Sequence, residues 1–325
     1  MSAAACSSVH LIPTVPSDFP RAAPPAGLQL LGRIVGYAWQ QARVEGPLDG
    51  LRMLVMAWRL LGEREKLGEL FTIPAFAQML TLQPQADPLF FISHRHFLSR
   101  GLSASERLGG ALDHFHFKQS RFTPALLQML HEAGLLLWRQ EPGWEIRLRA
   151  NAEIRHEGPL SLALTHEGRR LHEMSFAWVG AERLGMAAGP VLFATRSQCA
   201  PSDAPHLARF RTDFPQNSPA YFGLAALHGI ATALGQPRIV GVRDVCQIAF
   251  EPRYAASFKR SYDEFWSDFG GRLVGEHGLE MPVPAAVTPL SELRAKHRAR
   301  ARQRREHWRL IAESAEAALS PYLIR

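Results

Sequence analysis

The sequence is poor in cysteine: Cys6, Cys199 and Cys246 are the only three in 325 residues, too few and too scattered for a disulfide framework. No C-x-x-C pair occurs, so zinc-knuckle and dithiol redox readings are excluded and a reducing compartment is favoured. Long apolar runs are missing too. The most apolar early stretch, residues 51–61, is interrupted by Arg52 and Arg59 and falls far short of the roughly 20 residues that span a bilayer. Residues 1–27 lack the apolar run of a signal peptide. They are rich in proline instead, with Pro13, Pro16, Pro20 and Pro24, and read as a disordered tail. No serine stands in a Gly-x-Ser-x-Gly turn and no Walker-type loop is present, which removes the serine-hydrolase and P-loop NTPase readings. Acidic residues are in the minority, 30 Asp and Glu against 37 Lys and Arg, giving a net charge of +7 and an attraction to anionic partners.

What is present is ordinary globular material, 46% hydrophobic and 21% charged, enough for a substantial core. Residues 28–140 read as helical. Helical spacing covers 28–41 and 51–70, separated by turn residues at 46–50, and recurs at 73–82, 103–117 and 124–133. Ser103 lies three residues ahead of Glu106, a capping-box pattern. At Trp144 the period changes: Trp144, Ile146 and Leu148 alternate with Glu145, Arg147 and Arg149, the mark of a strand with one apolar face.

Further strands are expected at 160–165, 171–179 and 189–195, with Met174, Phe176 and Trp178 sharing a face. A loop over 196–217 leads to Ser218 and Pro219, suited to the N-cap and first turn of a helix. That helix, 219–234, is apolar nearly all round, as a helix buried against a sheet must be. Strands follow at 239–242 and 245–250, then a helix at 262–269 closed by Gly270 and Gly271. The expected fold class is α+β: a helical N-terminal region, then a mixed, mainly antiparallel sheet with a buried helix over 141–280. A proline-rich linker at 281–290 and a basic amphipathic helix within 291–325 complete it.

Three short stretches carry a family resemblance: Glu157-Gly158-Pro159-Leu160-Ser161-Leu162, Leu171-His172-Glu173-Met174-Ser175-Phe176, and Tyr262-Asp263-Glu264-Phe265-Trp266 ending in Gly270-Gly271. In order and spacing they resemble the VirK/YbjX family of bacterial proteins, over about residues 90–305. The resemblance implies a Gram-negative protein associated with virulence, envelope maintenance and tolerance of antimicrobial peptides, cytoplasmic or peripheral to the inner membrane. It supplies no catalytic residues. Family members usually enter the buried helix through a Gly-Leu-Arg-Pro-like stretch preceded by Thr-Lys, whereas this chain reads Arg211-Thr212-Asp213-Phe214-Pro215-Gln216-Asn217-Ser218-Pro219.

The order of elements after Trp144 also looks like the second half of a GNAT-type acyltransferase. In that fold the start of the buried helix receives the pyrophosphate of acyl-CoA, because free backbone N–H groups and the helix dipole favour an anion. Here that place offers Arg209, Arg211, Asn217, Ser218 and Tyr221 to acyl-CoA or an acyl-carrier protein. Pro215 and Pro219 remove two donors, and a merely well-capped core helix is the plain alternative. Tyr262 stands where such enzymes keep a tyrosine that protonates the leaving thiolate, with Glu157 or Glu173 as general base. Against this, a tyrosine at the start of Tyr-Asp-Glu-Phe-Trp is more often an aromatic anchor, here beside Phe265 and Trp266.

Two His-x-His pairs, His94 with His96 and His114 with His116, invite a metal reading, but on a helix the latter two point about 200° apart. No metal site is expected. Cys199 reads as a free, non-catalytic thiol. Arg294, Arg298, Arg302, Arg305 and Arg309 form a stripe on the last helix, matched to an anionic lipid surface; without interleaved aromatics it disfavours nucleic acid. Two functions therefore stand side by side: acyl transfer to an envelope-related amine or hydroxyl, and a non-catalytic accessory role at the cytoplasmic membrane face.

Overall fold

The computed structural model describes residues 46–83, 87–151, 154–200 and 204–324, with single positions between 32 and 43. After the helical positions between 32 and 43 come α1 (Pro47–Arg59), α2 (Arg64–Thr72), α3 (Pro74–Leu82), α4 (Phe90–Ser93), α5 (Ala104–Arg121) and α6 (Pro124–His131). The single helix expected at 51–70 is broken by a short 3-10 turn at Leu61–Glu63. Described positions between 32 and 43 are helical, while the 1–27 tail lies outside the described residues. The capping box at α5 is formed in both directions, Ser103 accepting from the Glu106 amide and Glu106 from the Ser103 amide.

The strands and remaining helices are β1 (Leu135–Gln140), β2 (Trp144–Ala150), β3 (Leu160–His166), β4 (Arg169–Gly180), β5 (Pro190–Cys199), α7 (Ala204–Asp213), α8 (Pro219–Ala233) and β6 (Arg238–Val242). They continue with α9 (Ala255–Ser261), α10 (Asp263–Ser267), β7 (Arg272–Val274), β8 (Gly278–Pro282) and α11 (Ala295–Leu319). One open sheet runs β1-β2-β3-β4-β5-β6-β8-β7. Every neighbouring pair is antiparallel except β5 with β6. A parallel pair needs a crossover, and α8 is that crossover.

Further elements depart from the sequence expectation. β1 is built on Leu135-Leu136-Leu137-Trp138, a run with no alternation to separate it from the helices before it. α7 forms inside the expected loop, and residues 245–250 turn instead of pairing, the Gln247 amide donating to the Arg243 carbonyl. The β7–β8 hairpin reaches into the expected linker, where Met281 is fully buried.

The core is centred on α8. Phe222, Leu224, Ala226, Leu227 and Ile230 are buried, each large apolar side chain contributing roughly 1.5–3 kcal/mol. That outweighs the poor helix propensity of Gly223 and Gly229, about 1 kcal/mol apiece. Gly229 is required by packing: a Cβ there would overlap the backbone of Ala312 in α11. On the strand side, a Cβ at Gly223 would lie 3.3 Å from the His172 ring of β4.

Candidate functional site

β5 and β6 pair only where Leu192, Phe193 and Ala194 meet Ile239, Val240 and Gly241. The reason lies in β5. Along its other edge Ser175 faces Arg196 but Phe176 faces Ala194, so Thr195 is an extra residue, a bulge that bends and twists its strand. The Thr195 hydroxyl contacts the carbonyls of Glu157 and Ser175, tying the loop before β3 to the bulge. Beyond it, Ser197, Gln198 and Cys199 remain paired to β4. Among the described residues no strand pairs with their other edge.

Trp266 fills the space on the β6 side. A Cβ on Gly241 would overlap its indole, and its Nε1 donates to the Val242 carbonyl at 2.9 Å. In front of the divergence lies a cavity of about 390 Å³, lined by His172, Ser197, Gln198 and Cys199 from the strands, Ala220 from α8, and Tyr262 with Phe265 beyond it. That size and its mixed lining suit a small-molecule site.

Tyr262 sits at the break between α9 and α10, only 2% exposed, its ring stacked on Phe258. Its hydroxyl accepts the Ser197 N–H at 3.4 Å. Burial pushes the phenol up to about 12, so it keeps its proton at neutral pH. His172 Nε2 lies 3.0 Å from Ser197 Oγ, and burial pulls the imidazole down to about 3. It is a neutral hydrogen-bonding partner with little strength as a base. Sequence reading missed this contact because it depends on the register of β4 with β5, which alternation does not specify.

Consecutive strand residues point to opposite sides. Ser197 turns toward His172, and Arg196 turns toward two carboxylates: its Nε lies 2.6 Å from Glu157 and its Nη1 3.0 Å from Glu173. Glu173 also pairs with Arg170 at 2.8 Å and Arg149 at 3.5 Å. Burial alone would raise it, but a Ser161 hydrogen bond and these cations hold it below the usual carboxylate range. Glu157 goes the other way: burial and the neighbouring Glu173 outweigh Arg196 and raise it. Of the two candidate bases, Glu173 is held in place by three arginines, and Glu157 is the one whose proton affinity is increased.

The expected phosphate-binding residues are placed differently. Arg209 is exposed and pairs with Asp213 at 2.8 Å, and Arg211 is exposed on the same helix; neither lines the cavity. Asn217 is engaged with α11, accepting from Trp308 Nε1 at 2.9 Å and contacting His307 at 3.1 Å. Ser218 caps α8 through the Tyr221 amide. Tyr221 stacks on Phe265 and packs against Trp308, lining a separate apolar cavity between α8 and α11. The helix start reaches the cleft through Ala220 alone.

His114 is buried on α5 and His116 is exposed, 2.7 Å from Glu69, so that pair does not converge. His94 stacks on His156 at 3.9 Å. Desolvation raises the Cys199 thiol, which disfavours a nucleophilic thiolate. Among the described residues one trio can offer donors to a cation: His166, Glu167 and His206, their donor atoms all within 4.8 Å of one another. The two imidazoles already meet through their Nδ1 atoms at 2.8 Å, a hydrogen bond that accounts for the contact without an ion.

Fold and cleft together define an α+β protein whose open mixed sheet divides at its one parallel pair. The chain matches the family model described as "Protein of unknown function (DUF535)" over residues 52–189 and 218–316, more than half its length, and belongs to that family, the one in which VirK/YbjX proteins fall. The interval between the two matched stretches contains β5 and α7. No curated protein and no solved structure matches the chain.

Proposed function

We propose that the protein transfers an acyl group from a thioester donor, acyl-CoA or an acyl-carrier protein, to an amine or hydroxyl. The observation that carries the reading is the free edge of β5 beyond the bulge. Ser197 directs its N–H to that edge, and by strand alternation Cys199 does the same. An extended chain of amides, such as the pantetheine arm of a thioester donor, can pair there as an added strand. The donor's phosphates would then lie at the start of α8, where the Ala220 amide and the helix dipole favour an anion. Strand, crossover helix, parallel strand and tyrosine-bearing helix occur in the order of the GNAT acyl-CoA pocket.

In this reading Glu157 takes the proton from the acceptor, the acceptor's nitrogen or oxygen attacks the thioester carbonyl, and the departing sulfur takes the Tyr262 proton. Ser197 N–H is freed from Tyr262 to hold the carbonyl oxygen, a contribution of the oxyanion-hole kind. Calorimetric titration with acetyl-CoA and longer acyl-CoA species tests it. Binding is expected, and Ala220→Glu, which puts a negative charge at the start of α8, should abolish it while leaving the fold intact. Absence of binding across the donors would refute the reading.

A second reading is favoured by α11. Arg294, Lys296, Arg298 and Arg300 are all exposed, whereas Arg309 is held by Glu306 and Glu313 and Arg304 lies over Tyr221 and Trp308. Among the described residues these four have no carboxylate partner, Arg298 donating to the Leu293 and Ser291 carbonyls, so uncompensated positive charge gathers at the first turns of α11, suited to an anionic lipid surface. Salt-sensitive binding to vesicles containing phosphatidylglycerol, lost when Arg294, Lys296, Arg298 and Arg300 are together replaced by Gln, is expected; equal binding by that variant would refute it.

A further inference from the structure

A second cavity, of about 320 Å³, has Glu157 in its lining, the carboxylate that pairs with Arg196. It is lined by His94, Arg95, His96, Arg100, His156 and Glu157, with Ile248 and Ala249 from the loop after β6. Its charge is unbalanced. Among the described residues Arg95, Arg100 and Arg107 form no ion pair: Arg100 donates to the carbonyls of Ile248 and Phe250, and Arg107 to those of Leu102, His94 and Arg95. Carbonyls satisfy hydrogen bonds but do not cancel charge. The one carboxylate of the lining, Glu157, is already neutralised by Arg196 at 2.6 Å.

Buried nitrogens also lack partners there: His96 Nδ1, His156 Nδ1 and Arg100 Nε. Unsatisfied buried polar atoms are uncommon and call for an explanation. Burial first, and the neighbouring arginines with it, pull His96 below its usual value; burial and then His94 bring His156 down to about 4. The ring nitrogens are neutral at pH 7, able to donate or accept, inside a field set by the arginines.

We infer that this second cavity binds a small molecule through its phosphate or carboxylate group, held by Arg95, Arg100 and the His96 and His156 rings. Its volume excludes a macromolecule and fits a headgroup-sized compound. That the molecule is the acyl acceptor rests on the donor reading above. Glu157 lines this cavity and Tyr262 the other, and β5 touches both residues, Glu157 through the Arg196 ion pair and Tyr262 through the Ser197 amide. An acceptor anchored by its anion would present its amine or hydroxyl to Glu157. The proton passes to the carboxylate, the new bond forms at the thioester carbonyl, and the carbon–sulfur bond breaks.

The test is calorimetry on the full chain with three probes, inorganic phosphate, phosphoethanolamine and acetate, each up to about 10 mM, where a millimolar site saturates. Acetyl-CoA binding is measured in parallel. Phosphoethanolamine should bind, with Arg95→Ala and His156→Ala each weakening it at least tenfold while acetyl-CoA affinity stays unchanged. Arg95 is exposed, so its variant tests the site without threatening the fold. Phosphate tighter than acetate would identify a phosphate-bearing ligand. No response to any anion, or unchanged binding in both variants, overturns the site while leaving the donor reading standing. Anion binding without acetyl-CoA binding overturns the acceptor role and the donor reading together.

Discussion

The two halves of β5 make opposite use of one strand. From Val191 to Ala194 it is buried, and Leu192, Phe193 and Ala194 are paired to both neighbours. From Thr195 to Cys199 it carries polar side chains, an unpaired edge and the wall of a cavity, and its Arg196 pairs with the carboxylate that lines a second one. The Thr195 bulge separates them. A packed half fixes the position of an unpacked half, and the unpacked half is where backbone groups stay available for a ligand.

The comparison breaks most severely if the packed half is opened. Trp266→Ala removes the indole that fills the β6 side and the bond to Val242; a loss of about 3–5 kcal/mol is expected in urea denaturation. Glu173→Ala comes next. It leaves Arg196 without its deeper partner, and a loss of roughly 2–3 kcal/mol is expected, less than for a fully buried pair because Arg149 and Arg170 are solvated. Tyr262→Phe should cost about 1–2 kcal/mol, by orphaning the Ser197 amide. It should also slow acyl transfer about 100-fold or more with donor affinity retained.

Glu157→Gln sharpens the contrast because its stability effect should be smaller, under about 1 kcal/mol, while transfer falls about 100-fold. Opposite pKa directions give the two carboxylates opposite pH signatures. Glu173 is lowered, so its stabilisation is present above the ordinary carboxylate value of about 4.3 and is lost as pH falls through the folded value. Glu157 is raised, so its contribution is present below that value and is lost as pH rises through the folded one. Denaturation from pH 3 to 7 should therefore show the acid-side loss of stability reduced in Glu173→Gln and not in Glu157→Gln. The smallest effect belongs to the surface: Arg298→Gln should change stability by less than about 0.5 kcal/mol and weaken vesicle binding by about 1 kcal/mol.

Much of the packed half was legible in the sequence. Alternation at Trp144–Leu148, the Ser218–Pro219 start of α8 and the α+β class follow from period, capping and burial, which are local. The unpacked half was less so. The bulge at Thr195, the contact of His172 with Ser197 and the sharing of Arg196 by Glu157 and Glu173 depend on strand register, which no local pattern encodes. Tyr262 and Glu157 stand out in the sequence as residue types in a recurring order, and the structure places each on a cavity wall. Arg209 and Arg211 were assigned by proximity in sequence, yet α7 turns them to solvent. Asn217 was drawn to α11 by a tryptophan 91 residues away. The cation-rich cavity around His156 was invisible because its lining comes from three separate segments.

Hydrogen exchange along β5 tests the account most directly. With saturating acetyl-CoA, amides of residues 195–199 should slow markedly, Ser197 and Cys199 most, while residues 192–194, already paired to two neighbours, stay unchanged. Exchange at 195–199 that is identical with and without acetyl-CoA would contradict the claim that the free edge of β5 receives the donor.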